Sequence, residues 1–176
     1  MKRAELTTVP AHSALLPLLD GADFHDAYRF PVSGPDGLPP LGVFMAAMAA
    51  TPAWVDRLMW LRNRIVERLG LKDLGLLGGF RPSKPLSDYG PGDRVGIFTI
   101  QEIRDGEIIV GDKDRHLDVW LSLCLMPADG DGRCAVLTTV VRNRNALGRL
   151  YMLVVKPLHR IIAPAVLNTY LARSPG

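Results

Sequence analysis

Apolar and polar residues alternate with period two through the middle of this chain, and apolar residues recur at helical spacing on both sides of it. Residues 1–22 are poorly patterned. Phe24, Asp26, Tyr28 and Phe30 then alternate in a short, edge-like strand that stops at Pro31, and Ser33-Gly34-Pro35-Asp36-Gly37 is turn chemistry. Residues 41–50 are small, apolar and rich in alanine, which predicts a helix packed closely on a neighbour. Thr51-Pro52 reads as an N-cap and first-turn proline opening a second helix to about Leu69, with Gly70 as its stop. Along that helix Val55, Leu58, Met59, Ile65, Val66 and Leu69 keep helical spacing, and Arg62 is the one polar intruder. Trp54 and Trp60 read first as core, second as cavity lining. Residues 70–93 are dense in glycine and proline. Leu77-Gly78-Gly79-Phe80 is not followed by Gly-Lys-Ser/Thr, so a loop or lid over a cavity is a better reading than a phosphate loop.

From residue 94 the pattern is β. Residues 94–100 alternate, Arg104-Asp105-Gly106-Glu107 signals a tight hairpin, and residues 107–112, 115–126 and 134–143 are further strands, the last rich in β-branched side chains. Ala128-Asp129-Gly130-Asp131-Gly132 is another turn. Five strands are predicted in all, with residues 94–143 an antiparallel meander. At Asn145, an N-cap residue, the period turns helical. Leu147, Leu150, Tyr151, Val154, Leu158, Ile161, Ile162, Val166 and Tyr170 mark one broad stripe to about residue 172. Pro157 and Pro164 lie inside it, about two turns apart, which predicts a long helix bent to one side as it crosses a sheet.

The stretch from Gly111 to Leu121 adds chemistry to alternation. Read as one strand, it carries Asp112, Asp114, His116, Asp118, Trp120 and Ser122 on one face, and Leu117, Val119, Leu121, Leu123 and Leu125 on the other. Neighbours on a face are about 7 Å apart, so three carboxylates and an imidazole point one way. From Val119 to Met126 both faces are apolar except at Ser122, so both must be covered. Helices cover one. The other needs further helices, a ligand-lined cavity or a second subunit, and the last of these is the ground for expecting a homodimer.

Of the 176 residues, 48% are hydrophobic and 22% charged, which suits one domain with a real core, residues 23–173. The net charge of +3 is scattered along the chain and argues against nucleic acid as a partner. The run 14–19 is short and broken by Pro17, so no secretory signal is expected. The longest apolar run, residues 150–171, holds Lys156, His159 and Arg160, so no membrane span is expected either. Cys124 and Cys134 flank a turn without forming a disulfide framework, and a reduced, cytoplasmic protein is expected.

Asp114-x-His116-Leu117-Asp118, Pro52-x-Trp54-Val55, and Gly148-Arg149-x-Tyr151 followed by Lys156-Pro157-Leu158-His159 resemble a bacterial domain family known only as one of unknown function. The resemblance covers roughly residues 20–172. Members of that family occur alone or behind a short-chain-dehydrogenase-like nucleotide-binding domain; this sequence has no dinucleotide glycine fingerprint. The element order is also similar to that of START-like and polyketide-cyclase-like helix-grip proteins. That resemblance implies an α+β fold in which a curved antiparallel sheet grips a long C-terminal helix, with an apolar ligand cavity between them. The family brings no established catalytic residues.

His116, Asp118 and Asp114 are the candidate catalytic residues, because a carboxylate beside an imidazole orients it and raises its pKa for proton transfer. A metal fits poorly, since positions i, i+2 and i+4 of a strand span about 13 Å and one ion reaches two of them. No metal or other cofactor is expected. Trp54, Trp120, Arg142, Arg149, Tyr151 and His159 are the candidate ligand-binding residues. The arginines bracket the start of the last helix, whose free N–H groups could join them in holding an anion. More simply, Arg142, Arg144 and Arg149 neutralise Asp112, Asp114 or Asp118 in one polar network, and His159 is a satisfied structural histidine. The expected function is binding of a small apolar or amphipathic molecule between sheet and C-terminal helix. The alternatives are a cyclase- or dehydratase-like enzyme using His116 and Asp118, and an interaction module dimerising through an apolar sheet face.

Overall fold

The computed structural model describes residues 3–32, 37–68, 77, 82, 84–127 and 132–173. The turns read at 33–36 and 128–131, the stop at Gly70, the Gly78-Gly79-Phe80 segment and the side chains of Ile65, Val66 and Leu69 lie outside the described residues. One antiparallel sheet of seven strands runs in the order β1-β2-β7-β6-β5-β4-β3. Its strands are β1 (Glu5–Leu6), β2 (Phe24–Pro31), β3 (Arg94–Val95), β4 (Phe98–Arg104), β5 (Glu107–Lys113), β6 (Leu117–Pro127) and β7 (Arg133–Asn143). Three helices complete it: α1 (Pro40–Ala49), α2 (Ala53–Arg68) and α3 (Ala146–Arg173). This is an α+β fold in a helix-grip arrangement.

Seven strands replace the five read from the sequence because two are only two residues long, below what alternation can register. Residues 94–100 are a tight hairpin, with Gly96 at φ 61 turning β3 back onto β4. The β2 strand is not an edge: β1 pairs along one side of it and β7 along the other. Between β4 and β5 the chain turns at Asp105-Gly106, with Gly106 at φ 76, a backbone state open to glycine. Thr51 does not cap α2; its hydroxyl donates to the Met48 carbonyl at 2.7 Å and closes the end of α1.

The segment Gly111 to Leu121 is not a single strand. The β5 strand ends at Lys113, and β6 begins at Leu117 after a turn through Asp114, Arg115 and His116. Pairing of Asp112 with Val119 and of Gly111 with Trp120 puts Asp112 on the face of Val119, opposite Trp120. Asp112 is therefore on the face opposite Asp118 and Trp120, and Asp114 and His116 lie in the turn between the strands.

The inner face carries Phe30, Ile100, Val110, Leu121, Leu123 and Leu137, packed on Val43 and Phe44 of α1 and Val166, Leu167 and Tyr170 of α3. The 28-residue α3 passes through both prolines as one helix. Its phase differs from the predicted stripe. Gly148, Met152, Ala163, Val166, Leu167 and Tyr170 are buried, whereas Leu150, Val154 and Ile161 face outward at 61%, 62% and 61% exposure. The helix is apolar around most of its circumference, so periodicity alone could not select its buried side.

The outer face of β6 is covered within the chain. Residues 13–22 lie across it, with Leu15, Leu18 and Leu19 packed on Ile109, Val140 and Trp120. A buried carboxylate fixes this segment. Glu107 accepts from the Ser13 hydroxyl at 2.7 Å, from the Ala14 amide at 3.0 Å and from the Ser122 hydroxyl. Burial alone would raise the Glu107 pKa, but these bonds outweigh it and hold the carboxyl below its ordinary value. The apolar strip that suggested a homodimer is thus occupied by the segment read as unpatterned.

The start of α3 meets the β5–β6 turn backbone to backbone. The Arg144 amide donates to the His116 carbonyl at 2.8 Å. A Cβ on Gly148 would lie 2.2 Å from that same carbonyl oxygen, so only glycine lets the helix approach. Gly148→Ala is expected to cost roughly 1–3 kcal/mol, seen as a lower urea midpoint with an unchanged slope; an unchanged midpoint would contradict the close approach. The lowered pKa of Glu107 gives a second expectation. Its stabilisation is complete above its ordinary value of 4.5 and is lost as pH falls through its lower folded value. Glu107→Gln should be less stable than the parent at pH 7 by roughly 1–3 kcal/mol, and that gap should narrow below pH 4.5.

Candidate functional site

Between the inner face of the sheet, α3 and α2 lies a cavity of about 230 Å³. The β6 strand contributes Leu117, Val119 and Leu121, and β7 contributes Leu137, Thr139 and Val141. From α3 come Tyr151, Met152, Val155, Leu158, His159, Ile162, Ala163 and Val166, and α2 supplies Leu58, Met59 and Arg62. The alternation that buries these strands places every second side chain here, which makes the wall almost wholly apolar. Among the described side chains of α2 only Val55 is buried, so this helix lies over the cavity more than it packs into the core.

Two polar groups interrupt the apolar wall. In one, His159 Nδ1 pairs with Asp26 Oδ2 at 3.0 Å, and Thr139 Oγ1 lies 3.5 Å from His159 Nε2. The Asp26 side chain is only 6% exposed and that of His159 23%. Asp26 Oδ1 is buried with no hydrogen-bond partner among the described residues. The ring of Phe24 stands edge-on to His159, with centroids 5.5 Å apart. Burial and the Asp26 carboxylate both raise the Tyr28 phenol above its ordinary value, against the opposing effect of Arg160. The second group sits at the rim. Arg62 Nε donates to the Tyr151 hydroxyl at 3.0 Å with its guanidinium over the ring, and Asp112 and Asp114 border the same opening.

The candidate catalytic residues do not form one constellation. His116 lies outside the cavity wall. Arg115 Nε donates to its Nε2 at 2.7 Å, and Asn145 meets its Nδ1. Asp118 is on the outer face, bonded by Arg144 at 2.8 Å and 3.0 Å. Asp114 accepts from the His116 amide at 2.7 Å, closing the turn. Asn145 Oδ1 accepts from the Gly148 amide at 3.1 Å and its amide group donates to the Arg115 carbonyl, so it caps α3 while holding the turn. The network joining the two motifs is real in part: Arg144 takes Asp118, while Arg149 is exposed and Arg142 points elsewhere.

The candidate ligand-binding residues divide as well. Tyr151 and His159 line the cavity. Trp54 is 40% exposed on α2 and outside the wall, and Trp60, also read as core, is 56% exposed. Trp120 is on the outer face with the Arg142 guanidinium 6.0 Å from its ring. Arg142 donates to the Leu18 carbonyl at 3.0 Å and to the Asp20 carbonyl, fastening the N-terminal segment. Asp26 and Thr139 were missed. Asp26 had a signal: it is the lone carboxylate on the inward face Phe24, Tyr28, Phe30. Among the described residues, no three His, Cys, Asp or Glu side chains converge as metal ligands.

A family model described as "Protein of unknown function (DUF2867)" matches residues 18–166. No curated protein matches the chain, and no solved structure does.

Because Asn145 serves helix cap, turn and His116 together, Asn145→Ala is expected to destabilise the fold by about 1–2 kcal/mol. Thermal unfolding followed by circular dichroism measures this. An unchanged melting temperature would show that the cap and turn are held by other groups.

Proposed function

The chain belongs to the DUF2867 family, and we propose that it binds a small, mostly apolar molecule carrying one hydrogen-bonding group. The observation that carries this reading is the cavity whose mostly apolar wall carries His159 and Thr139, with the buried Asp26 carboxylate bonded to His159. At about 230 Å³ the cavity exceeds the roughly 150 Å³ of an engineered apolar cavity that takes up benzene. An apolar body gains by leaving water there, and a hydroxyl or carbonyl gains a partner at His159 Nε2 or Thr139. Asp26, bonded to Nδ1, orients the ring so that Nε2 faces the ligand.

A second reading has its own support. A carboxylate on one nitrogen of an imidazole that lines a cavity, with its other nitrogen 3.5 Å from the Thr139 hydroxyl, is an arrangement that suits a general base. Proton transfer on a bound ligand would therefore use His159 with Asp26. His116 and Asp118 are bonded to different partners, so this reading rests on His159 of the cavity wall and the Asp26 carboxylate bonded to it.

Ligand-observed NMR with p-cresol and toluene tests the binding reading, because the two differ by one hydroxyl. The parent protein should bind both, p-cresol more tightly. Val155→Trp should abolish binding of both by filling the cavity. His159→Leu should weaken p-cresol by roughly fivefold, about the worth of one hydrogen bond, and leave toluene nearly unchanged. No binding of either probe by the parent would overturn the proposal; equal weakening of both would reduce His159 to packing.

A further inference from the structure

The outward side of α3 is more apolar than a water-facing helix needs to be. Leu150, Leu153, Val154 and Ile161 are 61%, 73%, 62% and 61% exposed, and Leu158 is 37% exposed. At 3.6 residues per turn these five fall on one arc of the helix, a patch of roughly several hundred Å². Along one border of that arc Arg149, Lys156 and Arg160, all exposed, fall within about 40° of each other. No Asp or Glu occurs anywhere in α3. On α2, Trp60 and Leu61 are 56% and 49% exposed, and Arg64 lies over the Trp60 ring at 5.3 Å. Apolar side chains, an interfacial tryptophan and a row of cations without acids form the surface chemistry of a helix lying in a lipid headgroup layer.

We infer that this face of α3 docks the protein on an anionic membrane surface. The cations meet lipid phosphates and the aliphatic arc enters the boundary of the acyl region. A second copy of the chain fits less well, because α3 offers no acid to receive the three cations of a partner α3. By length and composition α3 is the one helix among the described residues apolar enough to cross a bilayer, which the lysine, histidine and arginine in its sequence had argued against. Its opposite side, however, supplies Met152, Ala163, Val166, Leu167 and Tyr170 to the core, so surface docking keeps the fold where spanning would dismantle it. Leu158 belongs both to the exposed arc and to the cavity wall. Docking therefore brings the cavity next to the bilayer, although docking itself does not rest on the ligand-binding reading.

Co-sedimentation of the 176-residue chain with vesicles tests this. Vesicles of phosphatidylcholine with about one third phosphatidylglycerol should bind it, phosphatidylcholine alone much less, and 0.5 M salt should weaken binding at least tenfold, as for an attraction that ions screen. The double variant Leu153→Ser, Val154→Ser should lose vesicle binding at least tenfold while keeping its melting temperature and its affinity for p-cresol. Lys156→Glu should erase the preference for anionic lipid. Failure of the parent to sediment with anionic vesicles, or undiminished binding by the double variant, would overturn the inference. A dimer in light scattering that the double variant converts to monomer, without vesicle binding by the parent, would assign the patch to a second copy instead.

Discussion

Covering both faces of β6 is the constraint on which the rest of the structure depends. Val119, Leu121 and Leu123 must leave water on one side, and Trp120 and Cys124 on the other. An antiparallel strand in an open sheet is usually wetted on one face. Here α1 and α3 take the inner face, and residues 13–22 take the outer. The outer cover is short, and its Leu15, Leu18 and Leu19 supply its apolar contact. A buried ionised carboxylate, Glu107, holds it through bonds from both the cover and the sheet. The same contact buries Cys124 beside Glu107 and pushes its thiol up to about 11, chiefly through burial. That makes it a packing residue instead of a nucleophile at neutral pH.

Two histidines with acidic neighbours illustrate how location decides role. His116 sits where α3 begins, and each of its ring nitrogens already has a partner in Arg115 or Asn145. Its carbonyl meets the Arg144 amide, and its position requires glycine at 148. The motif residues around it thus act on backbone geometry. His159 has the same neighbour type, an aspartate, but it lines an apolar cavity, with Nδ1 on Asp26 and Nε2 3.5 Å from the Thr139 hydroxyl.

The long helix serves three environments at once. One side builds the core, the adjacent side lines the cavity, and the remainder faces outward with aliphatic residues and cations. An ordinary surface helix needs only about one apolar face. The additional apolar residues of α3 are divided between the cavity and the exposed arc, and Leu158 joins the two. α2 lies loosely over the same region, tied to α3 by the Arg62–Tyr151 bond.

Local periodicity determined much of this protein. The strands from 98 to 143, the hairpin at Asp105-Gly106, the helices over 40–49 and 53–68, and the single C-terminal helix follow from alternation, turn chemistry and capping, all of which act over a few residues. The cavity histidine and Tyr151 were legible as polar positions in an apolar helix. Only the tertiary structure decided what those patterns faced. A helix apolar all round has no preferred side until a sheet meets it, so the exposure of Leu150 and Val154 could not be read from spacing. A two-residue strand has too little sequence to alternate, which hid β1 and β3. The turn at 114–116 put Asp112 on the face opposite Asp118 and Trp120, because one break in a period of two exchanges inside and outside. The partnership of Asp26 with His159 joins residues 133 apart in the chain, and no local pattern encodes a pairing that forms only when β2 and α3 pack together.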